Sequence, residues 1–238
     1  MHRDMKNREH GGALILILIT VVLFAALSIA YTQMGDGGSE VMSTGQAKIA
    51  ASEILDHAKD VERAVNRILI KGTSDNDICF KSDKWPSAFE ITQYDHAECT
   101  SDNEVFSSTG GGVKWVAPNP DWMDLSSSNV WGQTRWLYTG DAVYVGVGST
   151  EPELAVMLAP LKREVCEAIN NSVNLDTDFS INDYPCCGYD ASRVFGIGSD
   201  RYDNAQTIGD QDARYSNRMT GCGWGDGYHY FWHILIPR

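Results

Sequence analysis

A chain of 238 residues, 43% hydrophobic and 21% charged, has the size of one domain with additions or of two small domains, and the composition of a folded protein. That excludes a wholly disordered chain and a multi-span membrane protein. Lys and Arg number 19 against 32 Asp and Glu, a net charge of -13. Such a chain repels phosphate, so no nucleic-acid partner is expected and anionic lipid is a poor peripheral surface for it. The six cysteines, even in number and irregular in spacing, suit disulfides in an exported domain.

Met1 to Gly12 is polar, with Arg3, Lys6 and Arg8 against Asp4 and Glu9. Ala13 to Tyr31 then reads ALILILITVVLFAALSIAY without a charge. At the rise of a helix this run spans roughly 28 Å, about one hydrocarbon thickness. The basic flank puts Met1 in the cytoplasm and everything beyond Tyr31 outside it. Three readings fit the segment. One is an uncleaved signal anchor. Another is a secretory signal peptide cut at Ser28-Ile29-Ala30, for which the apolar run is long. The third starts from the junction itself, where a short basic leader ends in Gly11-Gly12 directly against the run.

That junction resembles the prepilin leader of type IV pilins and of type II secretion pseudopilins. The resemblance implies that prepilin peptidase cuts after Gly12, that Ala13 becomes the new N-terminus, and that the apolar stretch becomes the spine of a filament. Most pilins carry a glutamate five residues after the cut. Here that place holds Ile17, or Leu16 if the cut follows Gly11, and no acid lies between Ala13 and Tyr31. The departure implies a minor rather than a major subunit.

Gly35-Asp36-Gly37-Gly38-Ser39 is poor in helix formers and reads as a hinge. From Glu40 to Lys71 the pattern is helical. Ile54, Ala58, Val61, Val65 and Ile68 recur at three- and four-residue steps, and Gly72 follows as a C-cap. His57 falls on the polar side. Short β-rich runs follow at Asp77–Phe80, Ala88–Tyr94, Gly112–Ala117, Arg135–Tyr138 and Ala142–Val147, with Gly110-Gly111-Gly112 as turn material. Thr150 with Glu153 makes a capping-box signature for a second helix. Its apolar face runs from Leu154 to Ile169, it bends at Pro160, and it ends near Asn170-Asn171. Residues 175–220 read as a long polar loop region. Tyr228 to Ile236, YHYFWHILI, predicts a strand inside the sheet. The segments Ile49–Val65, Gly110–Gly112, Leu161–Asn171 and the closing HILIPR resemble a group of pilin-like proteins from alphaproteobacteria that offers no activity to carry over.

Chemistry is sparse. Cys79, Cys99, Cys166, Cys186, Cys187 and Cys222 contain no CxxC, which disfavours zinc knuckles. Six cysteines allow 15 connectivities. Cys79–Cys99 makes a natural local loop. The other four are expected to staple the second helix to the C-terminal region, with adjacent Cys186 and Cys187 each reaching a separate partner. Asp200, Asp203, Asp210 and Asp212 are hard oxygen ligands of the kind calcium takes, but they match no EF-hand register, and a solvated acidic loop is the plainer account. His229 and His233 share a strand face about 13 Å apart, too far for one metal. No GxSxG or GxxxxGK[ST] is present, so no enzyme is expected. Trp115, Trp122, Trp131 and Trp136 cluster mid-chain and serve either core packing or sugar stacking.

The expected fold is α+β: a long N-terminal helix, transmembrane then amphipathic, packed on a disulfide-stapled antiparallel sheet. Its parts are a leader at 1–12, a transmembrane and spine helix at 13–33, a glycine hinge at 34–39, an amphipathic helix at 40–72 and an extracytoplasmic head at 73–238. The expected role is a structural minor pilin or pseudopilin in a type IV pilus or type II secretion-like filament. Its partners would be other pilin-like subunits through the N-terminal helix, prepilin peptidase and the membrane. The expected location is a single-pass inner-membrane protein with an extracytoplasmic, periplasmic or surface, C-terminal domain. The alternative is a signal-anchored or secreted binding or adhesin module that uses the aromatic head.

Overall fold

A computed structural model of the chain describes residues 17, 19–22, 42–83, 94, 96–126, 135–183, 202, 206–225 and 227–238. The chain divides into two units, Met1–Val41 and Met42–Arg238. In the first, residues 17 and 19–22 are helical, with Thr20 Oγ1 donating to the Ile17 carbonyl. The leader, the hinge at 34–39 and most of the 13–33 run lie outside the described residues.

The second unit opens with helix α1 (Thr44–Ile70). Its start is set locally. Ser43 caps the Gln46 N–H while the Gln46 side chain accepts from the Ser43 N–H, a reciprocal box that satisfies two orphan donors. One stripe is buried: Ala47, Ala50, Ala51, Ile54, Leu55, Ala58, Val61, Ala64, Val65 and Ile68. Half of these are alanines, which leave room for the neighbouring backbone to approach. His57 touches Tyr138 and Trp136, and Glu62 reaches His233, so the helix makes contacts to both the first and the last strand of the sheet.

The sheet comprises β1 (Arg135–Tyr144), β2 (Glu153–Leu161), β3 (Gln206–Ile208), β4 (Thr220–Gly225) and β5 (Tyr228–Ile236), in the order β3-β1-β2-β5-β4. Pairs β1–β2, β2–β5 and β4–β5 are antiparallel, while β3 runs parallel to β1. The β1–β2 register shifts between Thr139 and Ala142, a bulge that leaves Glu153 opposite Ala142. Helix α2 (Arg163–Ser172) follows β2 directly and packs against α1, β4 and β5.

Several expectations are corrected. The sheet is mixed rather than antiparallel, because β3 returns alongside β1 in the same direction. A long N-terminal helix, transmembrane then amphipathic, is not what the described residues contain: α1 is closed at Ser43 by its capping box, and no described helix is long and apolar enough to cross a membrane. The expected single-pass inner-membrane placement is overturned on that same finding. The second helix is also shorter than expected. Residues 153–161 form β2, every one of them buried, and the helix begins only at Arg163. A strand with neighbours on both edges and both faces buried has no polar side to display, so its sequence loses the alternation that marks a strand. Residues 112–117 are irregular rather than a strand, β3 arises inside the 175–220 region read as loop, and β4 begins at its last residue.

Candidate functional site

Between α1 and the segment 111–117 lies a groove of about 680 Å³. That is within the ~300–1,000 Å³ of small-ligand clefts. On α1, Glu53, Asp56, Asp60, Arg63 and Arg67 recur at steps of three and four and therefore share one face. The opposite wall runs from Gly111 to Ala117 and includes Lys114, with Trp122 and Trp136 also lining the groove.

The opposite wall is close because it is glycine. A Cβ on Gly111 would meet the Val105 carbonyl oxygen at 2.4 Å and the Ala64 Cβ at 2.8 Å. Gly112 has φ +75, and a Cβ there would sit 2.7 Å from Arg67 Nη1. With no side chains in the way, Arg67 Nη1 donates to the Gly111 carbonyl at 3.1 Å and Lys71 reaches the carbonyls of Thr109 and Gly110. Further along, the Trp136 indole N–H donates to the Val116 carbonyl at 3.0 Å. The glycine run is thus a close-approach surface, and not only a turn.

His57 stacks on Trp136 with ring centroids 4.3 Å apart, and its Nε2 lies 3.3 Å from the Tyr138 hydroxyl. Burial pushes its pKa down to about 4, against the opposing pull of Asp60, so the ring is neutral at physiological pH. Along α1 the lining changes sign, from Glu53, Asp56 and Asp60 to Arg63 and Arg67, and Arg63 pairs with Asp60. The lining includes no serine, threonine or cysteine, hence no side-chain hydroxyl or thiol nucleophile. The groove can sort charge along its length and offer hydrogen bonds over a rigid aromatic base.

Of the residues singled out by sequence, Trp122 and Trp136 line this groove, with His57, Gly111 and Gly112; the described cysteines, loop aspartates, His229 and His233 do not. Gly11, Gly12 and Ala13 lie outside the described residues. Two disulfides are present, Cys79–Cys99 and Cys166–Cys222. Since Cys166 and Cys222 take each other, neither is open to Cys186 or Cys187, which lie outside the described residues along with Asp200, Asp203 and Trp131. Asp210 is exposed and accepts from Gln211. Asp212 is buried and gripped by Arg214 through three bonds of 2.6 to 2.9 Å. Arg214 Nη1 also lies 3.6 Å from Asp176 and 3.8 Å from Asp178. A guanidinium therefore already holds Asp212, while Asp210 is turned to Gln211 and solvent. Trp122 and Trp136 are buried and Trp115 is half-buried. His233 Nε2 is 3.0 Å from Glu62, and burial lowers its pKa; His229, edge-on to Phe179, is pushed down to about 4 by burial and then by Arg163.

Three buried polar residues have roles that sequence reading did not assign, although it named Glu153 in a capping box and Asn170 at a helix end. Asn170 accepts from the Cys222 N–H and donates to the Cys222 carbonyl, both at 2.8 Å, and donates to the Asp176 carbonyl at 2.9 Å. It duplicates by hydrogen bonds the staple that the Cys166–Cys222 bond makes covalently. Asp183 accepts from the N–H groups of Gly209 and Asp212 and fixes that loop; burial pushes its pKa up to about 6. Glu153 is fully buried at the start of β2. An isolated Asn, Asp or Glu carries no periodic signal, so only the fold reveals them.

No protein-family model, curated protein or solved structure matches the chain.

Proposed function

We propose that the protein is a structural subunit of a pilin-like filament, a minor pilin or pseudopilin matured by prepilin peptidase. The observation that carries this reading is the order of parts along the chain. A short basic leader ends in Gly11-Gly12 against an uncharged apolar run from Ala13, a glycine-rich stretch follows, and a 27-residue amphipathic helix then leads into a disulfide-stapled α+β unit. Two parts have a mechanical use. The apolar run polymerises with its counterparts by burying apolar surface. The disulfides keep a loop-rich head ordered in an oxidising compartment. Trp122 and Trp136 are 8% and 2% exposed, which leaves little ring surface for sugar stacking.

The test is the mature N-terminus of the protein in its native host, read by intact mass and N-terminal sequencing. The expected chain begins at Ala13, and Gly12→Val leaves it uncleaved and absent from filaments. A mature chain that begins at Tyr31, or one that retains Met1, refutes the reading.

A further inference from the structure

The loop closed by Cys79–Cys99 holds a third soft donor. One ligand atom from each of Cys79, His96 and Cys99 lies within 4.8 Å of the others. His96 is almost fully enclosed, with 6% of its side chain exposed. Its Nδ1 is 3.1 Å from the Glu98 carboxylate, and its Nε2 is 3.2 Å from the carbonyl of Ile78, the residue before Cys79. A carboxylate on one imidazole nitrogen is the arrangement that fixes the ring and raises the basicity of the other nitrogen toward a metal.

The donors are placed by bonds that do not involve the sulfur–sulfur link. The Cys79 N–H donates to the Asn103 carbonyl and the Cys79 carbonyl accepts from the Val105 N–H, at 3.0 and 2.9 Å. The Cys99 N–H donates to the His96 carbonyl at 2.9 Å, closing the His-x-x-Cys turn. Buried Asn103 locks the frame, donating to the carbonyls of Asp77 and Glu98 at 2.6 and 2.8 Å and accepting from the Thr100 N–H at 2.7 Å. Opening the disulfide frees two thiols on this hydrogen-bonded frame, beside the imidazole.

We propose that the reduced form of this loop is a site for a thiophilic d¹⁰ cation, Zn²⁺ in the first instance, bound by Cys79, Cys99 and His96, whose Nε2 gives up the Ile78 carbonyl to take the metal. Two thiolates and one imidazole are a common zinc donor set, at about 2.3 Å for sulfur and 2.0–2.1 Å for nitrogen. The fourth place falls to water or to the Tyr94 carbonyl, which lies 3.4 and 3.5 Å from the two sulfurs. The thiol state is the one in which every chain is synthesised. From the disulfide it is reached by two electrons and two protons from a dithiol, which leaves as its own disulfide. Zn²⁺ then displaces the two thiol protons. Metal and disulfide are alternative closures of the same loop, so metal holds the two sulfurs in register until oxidation releases it.

The experiment uses the full chain, oxidised or opened with a trialkylphosphine, which leaves as the phosphine oxide. Zn²⁺ is titrated against a chromophoric chelator, and X-ray absorption on the bound zinc counts sulfur and nitrogen neighbours. The expected result is one tight equivalent on the reduced chain with two sulfur and one imidazole neighbours, and none on the oxidised chain. His96→Ala and Glu98→Gln keep both cysteines and so keep the oxidised fold. After reduction the first loses the imidazole neighbour, and the second weakens binding by about 10- to 100-fold. The proposal is overturned if reduced and oxidised chains bind alike. It is equally overturned if tight binding survives in Cys79→Ser/Cys99→Ser, or if His96→Ala leaves affinity and coordination unchanged, since the metal then sits on other thiols.

Discussion

Glu153 offers the sharpest test of the packing. It opens β2 just past the β1 bulge and is fully buried. Its Oε2 accepts the Tyr144 N–H at 3.0 Å, while its Oε1 is buried without a partner. Burial pushes its pKa from the ordinary 4.5 up to about 7, against the opposing pulls of that N–H and of Arg238. A raised acid binds its proton more tightly in the folded state. Its contribution to stability is therefore complete below pH 4.5 and is lost as pH rises through about 7. At about 1.4 kcal/mol per pH unit, the charged carboxylate costs the fold on the order of 3 kcal/mol above that range. For a domain of this size that is roughly 6–12 °C in Tm. The assay is equilibrium urea unfolding of wild type and Glu153→Gln at pH 5, 7 and 9 under oxidising conditions. Glutamine keeps the acceptor for Tyr144 and cannot ionise. The variant is expected to gain on wild type by about 2–3 kcal/mol between pH 5 and pH 9. Comparing the two chains cancels Asp183, His57 and His229, which titrate in both. Parallel pH profiles would refute the reasoning, since they would mean that the carboxylate is solvated or already paired.

Three further outcomes are expected. Nuclear magnetic resonance should place the His57 midpoint near 4; because its folded pKa is lowered, its contribution is whole above 6.5 and lost as pH falls toward 4, and a midpoint near 6.5 would mean the ring leaves Trp136 for water. Gly111→Ala should cost at least about 2 kcal/mol in chemical denaturation, because its Cβ collides with backbone at Val105 and with Ala64 rather than with a movable side-chain tip; a neutral effect would show that the segment does not lie on α1. Replacing Cys166 and Cys222 together should cost about 4 kcal/mol against about 3 kcal/mol for the Cys79 and Cys99 pair, from the longer loop closed; the reverse order in matched denaturation curves would show that Asn170 carries that staple without the sulfurs.

Much of the fold was legible wherever the signal is local and repeated. The α1 stripe from Ile54 to Ile68 is written at helical spacing, and the aromatic, β-branched run at 228–236 is written as a strand. What was not legible depends on neighbours. LAVMLAPL satisfies a helix pattern as well as a buried strand. It becomes β2 because β1 and β5 hydrogen-bond to both of its edges. His57 counts as polar-side by helical phase, yet the ring of Trp136, far away in sequence, removes it from water. Gly110-Gly111-Gly112 spells a turn, and only the approach of α1 gives it a second role.

The sequence by itself determined the net charge of -13, the apolar stripe of α1, the closing strand and the supply of cysteines for oxidation. Those are properties of composition and of groups a few residues apart, and no partner is needed to express them. The tertiary structure alone decided that the sheet is mixed, that Cys166 takes Cys222, that Arg214 meets the loop carboxylates, and that Glu153 and His57 titrate far from their ordinary values. Each of those follows from desolvation or from contact between segments distant along the chain, and both exist only once the core has closed.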